Sequence, residues 1–285
     1  MFIKKIIGVL SALAFALAAV LGTASHAGAA EVQMTFYGNQ HFRFVSNDGK
    51  VILINPWVRG NKDAGMTVES FKKGSVDLIL TTSGHGDDQG QAVEIAARTG
   101  ATIFTVAELG SWMQSQIEQY GGSKKQIYRG AIGGRTKVGG VTVQLIHSIH
   151  GSGTKPPKGG GPGWIYGGPA SGAIITFENG LRVLMAGSTG LTMDLQLFGM
   201  RYKPHVVMVP VMGRFMMHPD DAAYAVKLLM TDNPNLKTAI PQHVRYKGRY
   251  PWMGTGKQFE AEVKKLGLNV NVLIPEPGKV YTLSK

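Results

Sequence analysis

The sequence predicts an α/β fold of four layers, two β-sheets packed back to back with helices on the outer faces, and two observations carry that prediction. Short runs of β-branched and aromatic residues recur along the chain, with apolar patterns of 3–4 spacing between them. Their order is the second observation. Paired strands open the chain, helices alternate with strands through the middle, and a second run of strands begins near Val141 before helices return after Pro219. That order favours two sheets over a single doubly wound one. No self-similarity at a period of roughly 20–50 residues suggests a solenoid.

Each element has a local reason. Strands are expected at Val32–Tyr37, His41–Val45, Val51–Ile54, Asp77–Thr81, Val141–Ile146, Gly172–Phe177, Arg182–Ala186 and Val206–Val209. Helices are expected at Gln91–Arg98, Thr105–Tyr120, Asp220–Met230 and Lys257–Leu266. In the second of these, Thr105 and Glu108 have the spacing of a capping box and Gly121-Gly122 ends the pattern. Pro219 and Gly267 punctuate the last two. The stretch Gly151–Gly168 is too rich in Gly and Pro for a simple turn. Trp164 and Tyr166 near its end suit a flap over a site, or the anchor of a surface loop.

Composition bounds the chemistry. The chain has 285 residues, 44% apolar and 17% charged, which is the composition of a globular protein. With no cysteine, a disulfide scaffold, a zinc ribbon, an iron–sulfur site and a thiol nucleophile are excluded together, so any metal must be held by nitrogen and oxygen. Residues 1–29 read as a signal peptide: Lys4 and Lys5 precede an apolar run from Ile6 to Leu21, and Ala27-Gly28-Ala29 closes it. Its 16 apolar-run residues fall short of the ~20 of a comfortable span, so cleavage is expected rather than retention as an anchor. The remainder, residues 30–285, is expected to be one domain and to be periplasmic or secreted. The net charge of +12 becomes +10 once Lys4 and Lys5 are removed. This surplus favours anionic substrates, or contact with an anionic membrane or wall surface. Nucleic acid is not expected as a partner, because the basic residues are scattered and the location removes it.

The residues with chemical potential begin at the end of the strand Asp77–Thr81. There Thr82-Ser83-Gly84-His85-Gly86-Asp87-Asp88 presents an imidazole and two carboxylates, and Gly84 and Gly86 let the backbone turn so that these groups can converge on one cation. The same residues would also serve as a helix-capping turn. Further along stand Tyr37-Gly38-Asn39, Ile54-Asn55-Pro56, His150, Gly167-Gly168-Pro169-Ala170, Ala186-Gly187-Ser188-Thr189-Gly190, Tyr202-Lys203-Pro204-His205 and Pro241-Gln242-His243. In this order the segments resemble the metallo-β-lactamase fold, and most closely its subgroup of small, uncharacterised metal-dependent hydrolases. The likeness spans about residues 32–250 and implies the same four layers.

The resemblance also implies a ligand set, and the chain departs from it. One metal of the family would map onto Ser83, His85 and His150. The other would map onto Asp87, Asp88 and His243, with Ser188 where the bridging carboxylate belongs and Asp88 where an imidazole belongs. Asn39 and Asn55 replace the opening His and the strand-end Asp. A serine hydroxyl is a poor substitute for imidazole or carboxylate, so the first site is expected to stay empty. Asp87, Asp88 and His243 still form a three-ligand set suited to one divalent ion, Zn, Mn or Fe, at which Asp87 or Asp88 would also act catalytically. The expected function is therefore a metal-dependent hydrolase with at most one ion. The alternative is a non-catalytic periplasmic binding protein that kept the fold and cleft.

Other residues weigh less. His147 is expected on the strand face opposite His150, and His41 and His218 as ordinary partly buried histidines or substitutes for the missing ligands. Ser188 lies outside any Gly-x-Ser-x-Gly elbow. Met208, Met212, Met216 and Met217 read as packing residues. Arg245, Lys247 and Arg249 form a basic cluster that would hold an anionic substrate or be a solvated turn.

Overall fold

Alternation of side chains along the strands builds the layers. Along Val141–His147, Val143 and Leu145 enter one buried cluster and Ile146 enters another. Along Val206–Pro210, Val206 and Met208 go to the first cluster, Val207 and Val209 to the second. Successive side chains of a strand point to opposite faces, so this sheet is covered on both sides. The structure is a computed structural model and describes residues 31–156 and 163–285. The expected signal peptide and residues 157–162 of the Gly/Pro-rich stretch lie outside the described residues.

Among the described residues the strands are β1 (Val32–Phe36), β2 (Phe42–Val45), β3 (Val51–Ile54), β4 (Leu78–Leu80), β5 (Thr102–Val106), β6 (Ile127–Gly130), β7 (Arg135–Val138), β8 (Val141–His147), β9 (Gly153–Thr154), β10 (Ile165–Tyr166), β11 (Ser171–Thr176), β12 (Arg182–Met185), β13 (Val206–Pro210), β14 (Thr238–Gln242), β15 (Asn271–Val272) and β16 (Val280–Leu283). The α-helices are α1 (Gly86–Gln89), α2 (Ala92–Thr99), α3 (Ala107–Ile117), α4 (Asp194–Tyr202), α5 (Pro219–Leu229) and α6 (Gly256–Lys265). One sheet has the order β16-β1-β2-β3-β4-β5-β6 and the other β15-β14-β13-β12-β11-β8-β7, each seven-stranded. The inner cluster joins both sheets and takes in α2 and α3, and the outer cluster joins the second sheet to α4, α5 and α6. This is the expected four-layer α/β sandwich.

Strand direction then fixes where a site can form. β1 is antiparallel to β2 and β2 to β3, while β3 and β4 are parallel, so β1, β3 and β4 end at the same edge. In the second sheet β8, β12 and β14 likewise run in one direction. The segments that leave these ends carry Asn39, Asn55, Ser83 to Asp88, His150, Ser188 and His243. The Ser171 amide donates to the Thr82 carbonyl at 2.8 Å, which stitches the two sheets beside those ends.

Two expectations are corrected. Thr105 does not cap a helix: it closes β5, its hydroxyl donates to the Thr81 carbonyl at 3.0 Å, and α3 starts at Ala107 without a side-chain cap. The β-branched run Thr102–Val106 won over the capping spacing because it completes the parallel sheet beside β4. The Gly/Pro-rich stretch is also not wholly a loop, since Gly153–Thr154 pairs with Ile165–Tyr166. Among the described residues no helix is long and apolar enough to cross a membrane.

Candidate functional site

Left-handed backbone at three non-glycine positions shapes the site. Asn39, Asn55 and His243 have φ of 60°, 45° and 58°. Asn and His are among the non-glycine residues found there most often, at a cost of roughly 1–3 kcal/mol each. Two backbone bonds hold the strained turn in place. The His243 amide donates to the Asn39 carbonyl at 2.7 Å, and the Asn39 amide donates to the Val244 carbonyl at 2.9 Å. The turn after β1 and the end of β14 are thus clamped together, and Gln40 is driven into the interior against His243.

The clamp brings all five expected ligands to one cavity of about 450 Å³. His85, Asp87, Asp88, His150 and His243 line it with Ser188 and Arg245, beneath walls of Trp164, Met212, Phe215, Met216, Tyr250 and Trp252. Asp87 Oδ2 and Asp88 Oδ1 each lie 3.9 Å from His243 Nε2. His85 and His150 meet edge to face with ring centroids 5.0 Å apart. The walls are strongly aromatic. Tyr250 and Trp252 stack at 5.5 Å and Phe215 packs its edge on Trp252 at 5.5 Å.

Hydrogen bonds fill the floor. The Thr82 amide, which can only donate, bonds Asn55 Oδ1 at 3.0 Å. Asn55 Nδ2 is therefore left to donate to Gln40 Oε1 at 2.8 Å. That in turn aims Gln40 Nε2 at Ser188 Oγ, 2.8 Å away, and at the edge of the His243 ring, where it meets both Nδ1 and Nε2 and donates to whichever ring nitrogen carries no proton. The Ser188 hydroxyl donates to Asp88 Oδ2 at 2.9 Å, and Ser83 donates to the same oxygen at 2.5 Å. Asp87 is held from the other side, by Asn39 Nδ2 at 3.1 Å and Arg245 Nη2 at 3.2 Å. The Arg245 guanidinium also lies 4.9 Å over the Trp57 ring.

Burial and these partners set the charges. Burial, reinforced by the Asp87 charge, pushes the Asp88 carboxyl up to about 7, against the pull of the Ser83 and Ser188 hydroxyls. Burial alone would raise Asp87 too, but His243, Arg245 and Asn39 hold it below the usual carboxylate range. Burial keeps His243 neutral by lowering it to about 3. The same cause, with His85 adding to it, lowers His150 to about 4. At neutral pH the floor therefore carries the Asp87–Arg245 ion pair beside neutral His150 and His243 and a partly protonated Asp88.

His41, His147, His205 and His218 lie apart from the cavity lining. His147 points outward and its Nδ1 sits 2.9 Å from Asp194 Oδ2. His218 is the N-cap of α5. His41 is fully buried against the Tyr37 ring, centroids 4.9 Å apart, and neither ring nitrogen has a hydrogen-bond partner. The helix-capping alternative for the acidic pair is not what forms. The N-cap of α1, His85, has no side-chain cap bond, and both carboxylates turn to Asn39, Arg245, Ser83 and Ser188. Sequence reasoning missed Gln40, Phe215, Tyr250 and Trp252. Gln40 stands between two positions that were singled out, Asn39 and His41, and that adjacency was the available signal.

The ion implied by the resemblance has a test in this geometry. A ligand must offer a free lone pair to a cation. Here Gln40 points an N–H at the His243 ring and two hydroxyls point protons at Asp88 Oδ2. Among the described residues no group of three or more His, Cys, Asp or Glu is arranged to hold a metal ion. The residues at the centre do not fit a resident ion as they stand.

The chain has close relatives. A family model described as the β-lactamase superfamily domain matches residues 33–236. The chain is 34% identical over 250 residues to a UPF0173 metal-dependent hydrolase of Rubrobacter xylanophilus, covering 87% of this chain and 95% of that one. It is 35% identical over 251 residues to a UPF0173 metal-dependent hydrolase of Methanopyrus kandleri, covering 88% and 99%. Among solved structures, Igni18, a metallo hydrolase from Ignicoccus hospitalis, superposes with a TM-score of 0.71 at 29% identity, covering 89% of this chain and 99% of that one.

Proposed function

We propose that this chain, which belongs to the β-lactamase superfamily domain family, keeps the substrate cleft of a metal-dependent hydrolase but binds a small organic molecule there without a resident ion. The observation that carries the reading is the cavity itself: aromatic and methionine walls above a floor of His85, His150 and the Asp87–Arg245 pair. Flat apolar walls supply most of the binding energy of such a pocket, and a few polar groups at one end orient the ligand. The surplus of positive charge favours an anionic ligand. The leader signature at residues 1–29 assigns this binding, within the same proposal, to the periplasm or the exterior.

Tryptophan fluorescence tests the reading, because Trp164 and Trp252 line the cavity. A panel of aromatic and aliphatic organic acids and esters is expected to yield a saturable ligand. Trp252→Ala should then weaken its binding by about tenfold or more, the loss of a buried aromatic contact. Equal affinity in the wild type and the variant would place the ligand elsewhere.

One observation favours a second reading, hydrolysis with one divalent ion, Zn, Mn or Fe. Asp87, Asp88 and His243 do approach each other, at 3.9 Å from the shared imidazole nitrogen, and the relatives are named metal-dependent hydrolases. Hydrolysis of any ester or phosphoester in the panel that chelation stops and Asp87→Ala abolishes would establish this second reading in place of the first.

A further inference from the structure

We infer that the side-chain amide of Gln40 is the cation's replacement: held by Asn55, it seats an N–H donor against His243 and Ser188, so that Asp87, Asp88 and His243 close on hydrogen bonds and exclude an ion. The inference stands independently of what the cleft binds.

Direction is what makes the argument. An amide read in the opposite orientation would turn Gln40 Oε1 toward His243 and Ser188, and an oxygen there would serve as a further metal ligand. That orientation is closed off. It would face Gln40 Nε2 to Asn55 Nδ2, two donors at 2.8 Å, and Asn55 cannot turn to relieve them because its Oδ1 accepts from the Thr82 backbone amide. The donor order therefore starts at a backbone N–H, which has no choice, and runs outward through Asn55, Gln40 and Ser188 to Asp88.

Every step of this chain is buried. Gln40 and Asn55 are at 0% exposure, and His243 and Ser188 at 1%. Buried polar groups of this kind are costly unless fully paired, and a network in which each donor has its acceptor is stable by itself. An ion entering here would have to break the Gln40 contact with His243 and leave N–H and O–H groups pointing at a positive charge. Neutral amides and hydroxyls at Asn39, Gln40, Asn55, Ser83 and Ser188 surround the centre, and none of them adds a charged ligand to Asp87, Asp88 and His243.

Metal uptake by the full-length protein tests the inference, with Zn²⁺ and Mn²⁺ as probes. Wild-type protein dialysed against each ion, then analysed for metal content, is expected to hold none that Asp87→Ala removes, and its thermal midpoint should not rise with either ion. Metal that is equally present in Asp87→Ala is surface metal and leaves the centre ion-free, as inferred. Gln40→Glu exchanges the amide for a carboxylate of the same shape, and is expected to gain about one equivalent together with an ion-dependent rise in midpoint. If Gln40→Glu does not fold, Ser188→Asp introduces a carboxylate beside the same amide and should show the same gain. A wild-type equivalent that disappears in Asp87→Ala overturns the inference. So does a folded Gln40→Glu or Ser188→Asp protein that gains nothing, since the amide would then not be what excludes the ion.

Discussion

Replacing Asp88 by Leu is expected to lower the unfolding free energy by about 3 kcal/mol, the sum for two buried hydroxyls that lose their acceptor. Asp88 is 1% exposed, and Ser83 and Ser188 both donate to its Oδ2. Leucine offers them nothing. Asp88→Asn should cost much less, because one amide oxygen can accept both hydroxyl protons and the shape is unchanged. Urea unfolding of the three proteins checks the pair. The sign is informative. In a site that keeps unpaired carboxylates ready for a metal, removing one commonly stabilises the fold, because the groups repel each other until the ion arrives. An increase in stability for Asp88→Leu would therefore mean that the centre is built for a cation.

The second large effect is acid lability centred on His41. Burial lowers this imidazole to about 3, because no well-formed hydrogen bond reaches either ring nitrogen and the nearby Trp57 backbone offsets only a part of the cost. In the unfolded chain it titrates near its ordinary value of about 6.5. Its contribution is therefore fully present above pH 6.5 and is lost as the pH falls toward 3, by about 1.4 kcal/mol per pH unit. His243, also lowered to about 3, acts in the same direction. Asp88 has the opposite sign: raised to about 7, it stabilises below its ordinary value and loses that contribution as the pH rises. Between pH 4 and 6 Asp88 and His243 offset each other, so the slope comes from His41 together with His150, which is lowered to about 4. Unfolding free energies measured at several pH values should decline on acidification in the wild type and flatten by about 1.4 kcal/mol per pH unit in His41→Leu. An unchanged slope in the variant would show that His41 is solvated or bonded in the fold.

Much of the fold was legible because strand alternation and helix punctuation are local signals. Val141–His147 alternates as its burial requires, and α5 begins at Pro219. What escaped were elements whose reason is non-local. β16 exists because Val280–Leu283 pairs with β1, some 250 residues earlier, and no pattern near the C-terminus announces that partner. β5 was hidden by a spacing, Thr105 to Glu108, that imitates a helix start.

The site divides in the same way. His85, Asp87, Asp88, His150 and His243 were readable from their segments, and the two sheets carry them to one cavity. Gln40 was not readable. Its position follows from a positive-φ turn at Gly38 and Asn39 and from a backbone clamp to His243 and Val244. Glutamine in a loop has no signature of its own. The aromatic walls were missed for a similar reason, since Phe215, Tyr250 and Trp252 stand on irregular segments that only tertiary packing brings over the floor.

Crystals grown in Zn²⁺ or Mn²⁺, with diffraction recorded on both sides of the metal's absorption edge, put the account to its most direct test. An ion-free hub predicts no anomalous peak among Asp87, Asp88 and His243, with the Gln40 amide still against the imidazole. A peak within about 2.0–2.3 Å of those three side chains, with Gln40 displaced, would contradict it.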